Sequence, residues 1–300
     1  MLHKPIKHTA ELLGYVSPQL ATLVDGPPDA PGWIHEIKHD GYRTCLVAAG
    51  EHSRAYTRNG HDWTDNYRPI VDAAGKIDCV NAVIDGEMIV QDQAGRSDFA
   101  ALRRAIEGEP HRLVFYAFDL LVLGERDLRR LPLAERRELL ARLIGAHDRA
   151  RPIQFSQDTT DGPGLFAAAA KLGLEGIVSK KADSPYRSGR SRAWLKSKSF
   201  DEGEFVVVGA EHEPGSPAFA LLARETGDSL EYAGSAFITL GAHDRDRFWT
   251  EVERLGQPEP AIPMKGRKGR RWVRPQMRVR AQYFAGGDKL RHATIRELVS

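Results

Sequence analysis

Residues 33–43 read Trp-Ile-His-Glu-Ile-Lys-His-Asp-Gly-Tyr-Arg. Apolar and polar residues alternate in the first half of this stretch, which predicts a half-buried strand, and Asp40-Gly41 predicts a turn. Lys38 is therefore placed at a strand end, beside a tight turn and near Arg43. Partial desolvation and a neighbouring cation would favour the neutral, nucleophilic amine of a lysine held there. Taken alone, the stretch is better explained by an exposed strand-end lysine, and the motifs that follow overturn that interpretation.

The bulk composition is that of an ordinary soluble protein. The 300 residues are enough for two domains with cores of their own, and the charged and hydrophobic fractions are unremarkable. The net charge is only +2, so a nucleic-acid-binding surface must come from local clustering of cations. We find no secretory signal and no apolar run of membrane-spanning length, and expect no membrane partner. Cys45 and Cys79 lie in apolar contexts and predict reduced core thiols, and no Cys/His spacing predicts structural zinc.

Two polar motifs interrupt the next predicted strands. Residues 56–60, Tyr-Thr-Arg-Asn-Gly, contain an Asn-Gly turn that places Arg58 at a strand end, as Lys38 is. A planar guanidinium suits phosphate, although a plain hairpin with a solvated arginine is the simpler interpretation. Residues 83–90, Val-Ile-Asp-Gly-Glu-Met-Ile-Val, predict a strand broken at Asp-Gly, with Glu87 just beyond the turn. An ionised carboxylate in so apolar a strand needs a partner, unless a bulge exposes it.

Two apolar runs further along predict buried strands. Residues 113–123 are apolar and rich in aromatic residues, which predicts a central strand. Core packing is the ordinary role of Phe118 there, but stacking on a nucleobase is chemically reasonable for any aromatic side chain. Residues 174–180, Leu-Glu-Gly-Ile-Val-Ser-Lys, carry Glu175 at the start and Lys180 at the end. Without a wider context this second run would be a strand with charged flanks.

A basic segment follows the second run. Residues 181–193 predict a polar loop, either solvated or in contact with phosphate through its arginines, among them Arg187, Arg190 and Arg192. Alternation along the next predicted strand puts Lys196 and Lys198 on one face. Two parallel ammonium groups repel each other unless an anion lies between them, and a bound phosphate is the natural partner.

Four stretches of the first two-thirds of the chain predict helices. They are residues 62–76, 98–107, 132–144 and 163–172. The third is the clearest, since Pro132 stands at its start, Gly145 ends it and apolar residues repeat on one face. We interpret it as scaffold.

The pattern changes after a short polar hinge at residues 199–203. The segments beyond it that predict strands are residues 205–209, 220–225, 230–237 and 272–284. A single predicted helix at 243–255 interrupts them. About five strands and one helix fit a small barrel of the OB type.

The local cluster of cations lies in this second part. Residues 265–280 hold eight basic residues and no acid. A charge run is usually a solvated face, but in a near-neutral protein we favour contact with a phosphate backbone. The residues we assign to this contact are Lys265, Arg267, Lys268, Arg270 and Arg271.

Taken together, the motifs resemble the covalent nucleotidyltransferases: ATP-dependent DNA ligases, RNA ligases and mRNA capping enzymes. Residues 38–43, Lys-His-Asp-Gly-Tyr-Arg, are similar to the active-site motif of these enzymes. Residues 175–180, Glu-Gly-Ile-Val-Ser-Lys, are highly specific to the superfamily when they lie this far downstream. The resemblance runs from about Tyr15 to near the end of the chain. It is strongest to the ligase module of bacterial non-homologous end-joining DNA ligases.

This resemblance implies a role for each predicted site residue. Lys38 is the catalytic nucleophile, which takes AMP from ATP, and Glu87 and Glu175 lie by a Mg²⁺ or Mn²⁺ ion. The implied nucleotide-binding residues are Glu36, Arg43, Arg58, Glu87, Phe118, Lys180, Lys196 and Lys198. Arg43 and Arg58 would grip phosphates, Phe118 would stack on adenine, and Glu36 would help to fix the adenine.

The implied fold is α+β. An ATP-grasp-like nucleotidyltransferase domain of antiparallel sheets with helices would cover residues 1–199, and an all-β OB-fold domain would cover residues 200–300. The expected substrate is nicked double-stranded DNA, sealed during repair or end joining. The protein would be a cytoplasmic, nucleoid-associated bacterial monomer, working with a Ku-like end-binding protein or a separate polymerase.

The end of the chain departs from the family pattern. Related ligases close with a basic motif such as Arg-x-Asp-Lys, which orients the pyrophosphate, whereas residues 289–300 contain no Asp-Lys after the corresponding arginine. Either Arg291 or Arg296 substitutes, or the closing step is weak. Two alternatives therefore stay open: an RNA ligase or capping-type enzyme, and a non-catalytic nucleic-acid-binding relative.

Overall fold

The computed structural model describes residues 14–145, 151–213, 215–264, 269–284 and 289–299. The chain divides between Lys198 and Ser199 into two compact units. Each unit has an apolar core of its own. Among the helices of the described ranges, none is both long and apolar enough to cross a membrane.

One sheet of the first unit leads directly to Lys38. Its order is β1-β11-β10-β2-β9, with β1 Gln19–Leu23, β2 Trp33–Ile37, β9 Asp158–Thr159, β10 Gly176–Lys181 and β11 Gly189–Lys198. Lys38 follows β2, and its backbone N–H donates to the carbonyl oxygen of Gly176 at 2.9 Å. This bond continues the β2–β10 ladder by one residue and fixes where the lysine side chain starts.

The second sheet of this unit is the more deeply buried one. Its strands are β3 Tyr42–Ala48, β4 Arg54–Thr57, β5 Ala82–Ile89, β6 Val114–Leu123, β7 Arg126–Asp127 and β8 Ile153–Phe155. The order is β4-β3-β5-β6-β7, and β8 pairs with β6. The central strands β5 and β6 are buried along nearly their whole length, as a long apolar run predicts.

Strand β5 runs through Asp85-Gly86 without a break, so the predicted turn there is wrong. A Cβ atom at Gly86 would lie 2.3 Å from the ring of Phe115 and 2.6 Å from the carbonyl oxygen of Tyr116. The glycine is required for the close approach of β6, where the register shifts, rather than for a change of chain direction.

In the part of the first unit that the structure describes, four α-helices accompany the sheets. They are α1 Arg68–Ala74, α2 Phe99–Gly108, α3 Leu133–Ile144 and α4 Gly162–Lys171. Asp98 caps α2, because its carboxylate accepts the backbone N–H of Ala101 at 2.8 Å.

The two sheets of the first unit meet in a shared apolar cluster. Cys45, Val47 and Phe118 come from the second sheet, and Trp194 comes from the first. The predicted site residues on both sheets are therefore brought toward one another, which the sequence order alone does not require.

The second unit is a barrel. Its strands are β12 Phe200–Glu211, β13 Phe219–Thr226, β14 Ser229–Phe237, β15 Gly256–Gln257, β16 Arg270–Val273, β17 Arg278–Phe284 and β18 Ala293–Val299, with one helix, α5 Ala242–Arg254. The sheet order is β13-β14-β18-β17-β12-β16-β15, and β13 also pairs with β12. That last pairing closes five strands on themselves, as in an OB fold.

Several local predictions need correction. The segment before residue 33, which carries no clear sequence pattern, contains a strand, because β1 pairs in parallel with β11. Part of the predicted basic loop is strand, since β11 begins at Gly189. The predicted hinge at residues 199–203 lies at the boundary between the two units, but its residues from Phe200 onward are part of β12 and pair with β17. The predicted strand at 272–284 is two strands, separated by a turn at residues 274–277.

The sheets are also less uniform than predicted. Most neighbouring strands are antiparallel, but β1–β11, β6–β8 and β14–β18 are parallel. The predicted α+β class, with a mixed nucleotidyltransferase-like unit followed by an OB-type barrel, is confirmed.

Candidate active site

One cleft of the first unit gathers eight of the nine residues that were predicted to bind or attack the nucleotide. Its lining includes Glu36, Lys38, Arg43, Arg58, Glu87, Phe118, Lys180 and Lys196. They come from six strands of two sheets and from the segments that follow β2 and β4. The ninth residue, Lys198, joins the group through Glu175.

Lys38 is held by a carboxylate. Its ammonium donates to Oε2 of Glu175, and the ammonium of Lys198 lies 3.2 Å from Oε1 of the same group. Glu175 is 8% exposed, so a nearly buried anion fixes two cations at the edge of the cleft. The sequence predicted a phosphate as the anion between Lys196 and Lys198, whereas the anion beside Lys198 here is a side chain.

Glu36 is buried and fully engaged within the protein. Its Oε1 accepts from Nη1 of Arg137 at 3.0 Å and lies 2.7 Å from Nζ of Lys180, and its Oε2 accepts from the hydroxyl of Ser156 at 2.8 Å. Burial by itself would raise the pKa of Glu36, but the charges of Arg137 and Lys180 outweigh burial and lower that pKa. Glu36 is therefore an ionised anchor in the cleft wall.

Arg43 is anchored by a carboxylate. Its Nε and Nη2 donate to the two oxygens of Asp85 at 2.6 Å each, and the hydroxyl of Tyr186 also donates to Asp85 at 2.6 Å. One edge of the guanidinium is thus engaged within the protein, and the predicted phosphate contact of Arg43 stays a prediction. The guanidinium also lies 4.5 Å from the ring centroid of Phe118.

Two cations lie close to the ring of Phe118. The ammonium of Lys180 is 4.1 Å from its ring centroid, on the same ring that Arg43 contacts, and it is 4.4 Å from the ring of Trp194. Lys180 is only 2% exposed. Burial lowers its pKa to about 8, although the charge of Glu36 opposes that shift. Two cations thus fix the Phe118 ring at the wall of the cleft.

Glu87 and Glu175 are the predicted metal ligands. Burial raises the pKa of Glu87 to about 7, and the nearby charge of Glu175 adds to the effect despite Arg43 and Lys38. A bound cation near Glu87 would favour its ionised form. The described residues hold no group of three or more His, Cys, Asp or Glu side chains that could bind a metal ion.

Comparison with known proteins assigns the family. The model of the ATP dependent DNA ligase domain matches residues 15–198, which is more than half of the chain. The chain belongs to the ATP-dependent DNA ligases. The resemblance inferred from the motifs is therefore confirmed, and so is the prediction of an ATP-dependent DNA ligase enzyme.

Individual relatives of this ligase agree with the family assignment. The multifunctional non-homologous end joining protein LigD of Pseudomonas aeruginosa is 35% identical over 281 residues, which are 90% of this chain and 33% of that protein. The crystal structure of the ligase domain of Mycobacterium tuberculosis LigD is 28% identical, with a TM-score of 0.56 and 94% coverage of both chains. A mycobacterial DNA ligase D complexed with ATP has the same identity and coverage and a TM-score of 0.58. The ligase spans about a third of the length of the LigD relative.

The predicted DNA-binding residues of the first unit are exposed. Arg187, Arg190 and Arg192 all lie at the surface, and Arg190 also lines the cleft. Arg190, Arg192, Lys196 and Lys198 all lie on β11, and we call these four residues the β11 cationic stripe. Arg190 and Lys196 line the cleft.

The predicted DNA-binding residues of the second unit are less clearly placed. Lys265, Arg267 and Lys268 lie outside the described residues. Arg270 is paired with Glu211 at 2.8 Å, and Arg271 lies 3.7 Å from Glu253. Residues 199–300 carry equal numbers of acidic and basic side chains. Residues 265–280 contain no acid of their own, but in the folded protein acids on a neighbouring strand and on α5 lie beside Arg270 and Arg271.

Sequence reasoning missed several residues of the cleft. Leu20 and Ala21 line it from β1, and Trp194 and His39 line it beside the predicted residues. The ring of His39 stacks on Tyr116 with 4.2 Å between centroids, and burial lowers the pKa of His39 to about 4, so the ring is neutral at pH 7. For β1, the sequence offers one signal, which is the pair of apolar residues Leu20 and Leu23.

Proposed function

We propose that this ligase seals nicks with a 3′-hydroxyl and a 5′-phosphate in double-stranded DNA, through a lysyl-AMP intermediate at Lys38. In the first step the amine of Lys38 attacks the α-phosphate of ATP, a P–N bond forms and pyrophosphate leaves. AMP then passes to the 5′-phosphate of the nick. The 3′-hydroxyl finally attacks that phosphate, and AMP is released.

The observation that carries this proposal is the convergence of residues in one cleft. Lys38, at a strand end, lines the same cleft as a buried aromatic ring, three further basic residues and two acids. In that order, these residues are Phe118; Arg58, Lys180 and Lys196; and Glu87 and Glu36. Phosphoryl transfer needs little covalent help from a protein, and it depends on positioning and on cations that meet the developing charge. The cleft contains both.

We assign individual roles on the same grounds. Phe118 stacks on the adenine, and Arg58, Lys180, Lys196 and Lys198 meet the phosphates. Arg43 keeps the Phe118 ring in place. Glu87 and Glu175 would hold Mg²⁺ or Mn²⁺, and a bound ion of this kind neutralises phosphate charge.

The two structural units divide the work in this proposal. The predicted adenylation domain of residues 1–199 differs by one residue from the first unit, which ends at Lys198, and the OB unit would contact DNA. The similarity to an end-joining protein supports a role in joining double-strand ends. The partner would be a Ku-like end-binding protein or a separate polymerase, and the ligase itself would act as a monomer in the bacterial cytoplasm, on the nucleoid.

The deciding experiment is intact-mass measurement after incubation with ATP and magnesium. Wild-type protein should gain the mass of one AMP, and Lys38→Ala should gain none. Addition of nicked DNA should then remove the AMP and yield a sealed strand. A Lys38→Ala protein that seals nicks from ATP would overturn the mechanism.

The same assay separates the remaining alternatives. Transfer from labelled GTP in preference to ATP would indicate a capping-type enzyme, and preference for an RNA nick would indicate an RNA ligase. If wild-type protein gains no AMP, pre-adenylated nicked DNA distinguishes the rest. Sealing would mean a ligase with a weak first step, whereas DNA binding without sealing would mean a non-catalytic relative.

A further inference from the structure

Helix α3 sends two consecutive arginines into the protein interior. Arg136 is fully buried and Arg137 is 4% exposed. A buried guanidinium is tolerated only when its charge and its N–H groups are matched by acceptors. The apolar pattern of this helix predicts scaffold alone and gives no reason for two buried charges.

Arg136 makes contacts that stay away from the cleft. Its guanidinium donates to the two oxygens of Asp119 at 2.7 and 2.8 Å, and to the carbonyl oxygens of Leu131 at 2.5 Å and Ser184 at 3.0 Å. None of these three partners is among the residues that line the cleft. Arg136 therefore ties α3 to β6 and to the segment after β10.

Arg137, by contrast, joins two residues of the cleft wall. Its Nη1 donates to Oε1 of Glu36 at 3.0 Å and to the carbonyl oxygen of Phe118 at 2.9 Å. Its Nη2 donates to the carbonyl oxygen of Ser156 and to Oδ1 of Asp158, both at 2.6 Å. One planar group thus connects β2, β6 and the segment that leads into β9.

The connection matters because β2 and β6 belong to different sheets. No ladder of backbone hydrogen bonds sets their spacing, so side chains must do so. Glu36 precedes Lys38 by two residues, and Phe118 carries the ring proposed to stack on the base. Arg137 spans the gap between them with charge-assisted hydrogen bonds, which are short and directional.

We propose that Arg137 is a positioning residue for nucleotide binding, because it fixes the strand that leads to Lys38 against the strand that carries Phe118. This inference rests on the proposed function, in which ATP occupies the cleft and Lys38 receives AMP. Arg137 itself touches neither the reacting atoms nor the cleft surface. Its loss should loosen the nucleotide equally in the ground state and the transition state, which raises KM and spares kcat.

The test compares Arg137→Lys with Arg136→Lys. Both substitutions keep the positive charge at a buried site of α3 and remove the planar fork. Adenylation of Lys38 is followed by intact mass over a range of ATP concentrations, and thermal unfolding is measured for each protein. We expect Arg137→Lys to raise KM for ATP roughly tenfold with kcat changed by less than about threefold, while Arg136→Lys leaves KM within about twofold.

A second variant, Ser156→Ala, tests the same proposal if Arg137→Lys fails to fold. Ser156→Ala removes the hydroxyl that donates to the other oxygen of Glu36 and changes little else in volume. It should raise KM for ATP in the same direction as Arg137→Lys, by roughly two- to fivefold.

The outcomes separate this inference from the proposed function. If wild-type protein forms no lysyl-AMP, the proposed function is at fault. If wild-type protein is adenylated and both Arg137→Lys and Ser156→Ala keep its KM, the positioning role is wrong. It is equally wrong if Arg136→Lys raises KM as much as Arg137→Lys, since general loosening of α3 would then explain the effect.

Discussion

The carboxylate of Glu175 accepts a hydrogen bond from the ammonium of Lys38 at the end of β2. Its other oxygen lies 3.2 Å from Lys198, so the two lysines share one nearly buried carboxylate. In the proposed complex, ATP would bring further negative charge to the same place. The position of the proposed nucleophile, Lys38, therefore depends on a residue 137 positions away in the sequence.

Removal of the Glu175 charge should impair adenylation. We expect Glu175→Gln to slow formation of lysyl-AMP roughly 100-fold, because Lys38 and Lys198 would repel each other and one metal ligand would be lost. The measurement is single-turnover mass gain at saturating ATP and magnesium. Glu107→Gln, which changes an exposed acid on α2, is the control and should match the wild-type rate. A normal rate for Glu175→Gln would contradict the role of this carboxylate.

Phe118 should contribute to ATP affinity through its ring. Phe118→Ala removes the surface on which adenine is proposed to stack, and loss of one base–aromatic stack costs about 1–3 kcal/mol. KM for ATP should therefore rise at least roughly fivefold. Leu121→Ala is the matched control, because Leu121 is a buried residue of the same strand that does not line the cleft. If both variants change KM alike, general loss of packing rather than stacking is responsible.

Stability should depend on pH through Lys180. Its pKa is about 8 in the folded protein and near 10.5 when unfolded. Between these values the unfolded chain binds more protons, so the free energy of unfolding rises with pH in this window. Burial of the charged Lys180 side chain thus destabilises the folded protein. This destabilisation is fully present below pH 8 and disappears toward pH 10.5. Wild type should gain up to about 3 kcal/mol relative to Lys180→Met across the window.

Urea denaturation at pH 7.5, 9 and 10 measures this difference. The comparison with Lys180→Met cancels the titration of other lysines and tyrosines, since those groups are common to both proteins. A constant difference between the two proteins at all three pH values would show that Lys180 titrates normally.

The Arg136–Asp119 pair should matter for stability. Both side chains are fully buried, and removing one member of such a pair leaves an uncompensated charge at a cost of about 3–5 kcal/mol. We expect Arg136→Met to lose an amount of this order in urea denaturation. The double variant Arg136→Met with Asp119→Leu should recover a large part of it, because it removes both charges. A single variant that loses less than about 1 kcal/mol would contradict this account.

The β11 cationic stripe should contribute to DNA affinity in a salt-dependent way. Replacing Arg190 and Arg192 by alanine removes two phosphate contacts in the proposed complex. The slope of log K against log salt for nicked DNA should become shallower by roughly two. Arg247→Ala is the control, because Arg247 is exposed and pairs with Asp244 on α5. If the slope is unchanged in the double variant, Arg190 and Arg192 of the β11 cationic stripe do not contact DNA phosphates.

Much of the cleft could be predicted from the sequence because its residues sit at strand ends and within strands. Lys38, Phe118 and Lys180 were each placed on the correct element from alternation and turn signals. The predicted role of Arg43 could not be judged in this way. Its partner Asp85 lies on the neighbouring strand, and only the β3–β5 ladder brings the two together.

The chain order of motifs by itself indicated the family and the class of fold, because local patterns of polarity dictate strands and turns, and it gave Lys38 as the predicted nucleophile. The tertiary structure alone decided which charges neutralise one another. It paired Glu36 with Arg137, Lys38 with Glu175 and Arg270 with Glu211. Electrostatic interactions act through space over a few ångströms, and the partners in these pairs are separated in sequence by 59 to 137 residues. No local pattern in the sequence encodes such neighbours.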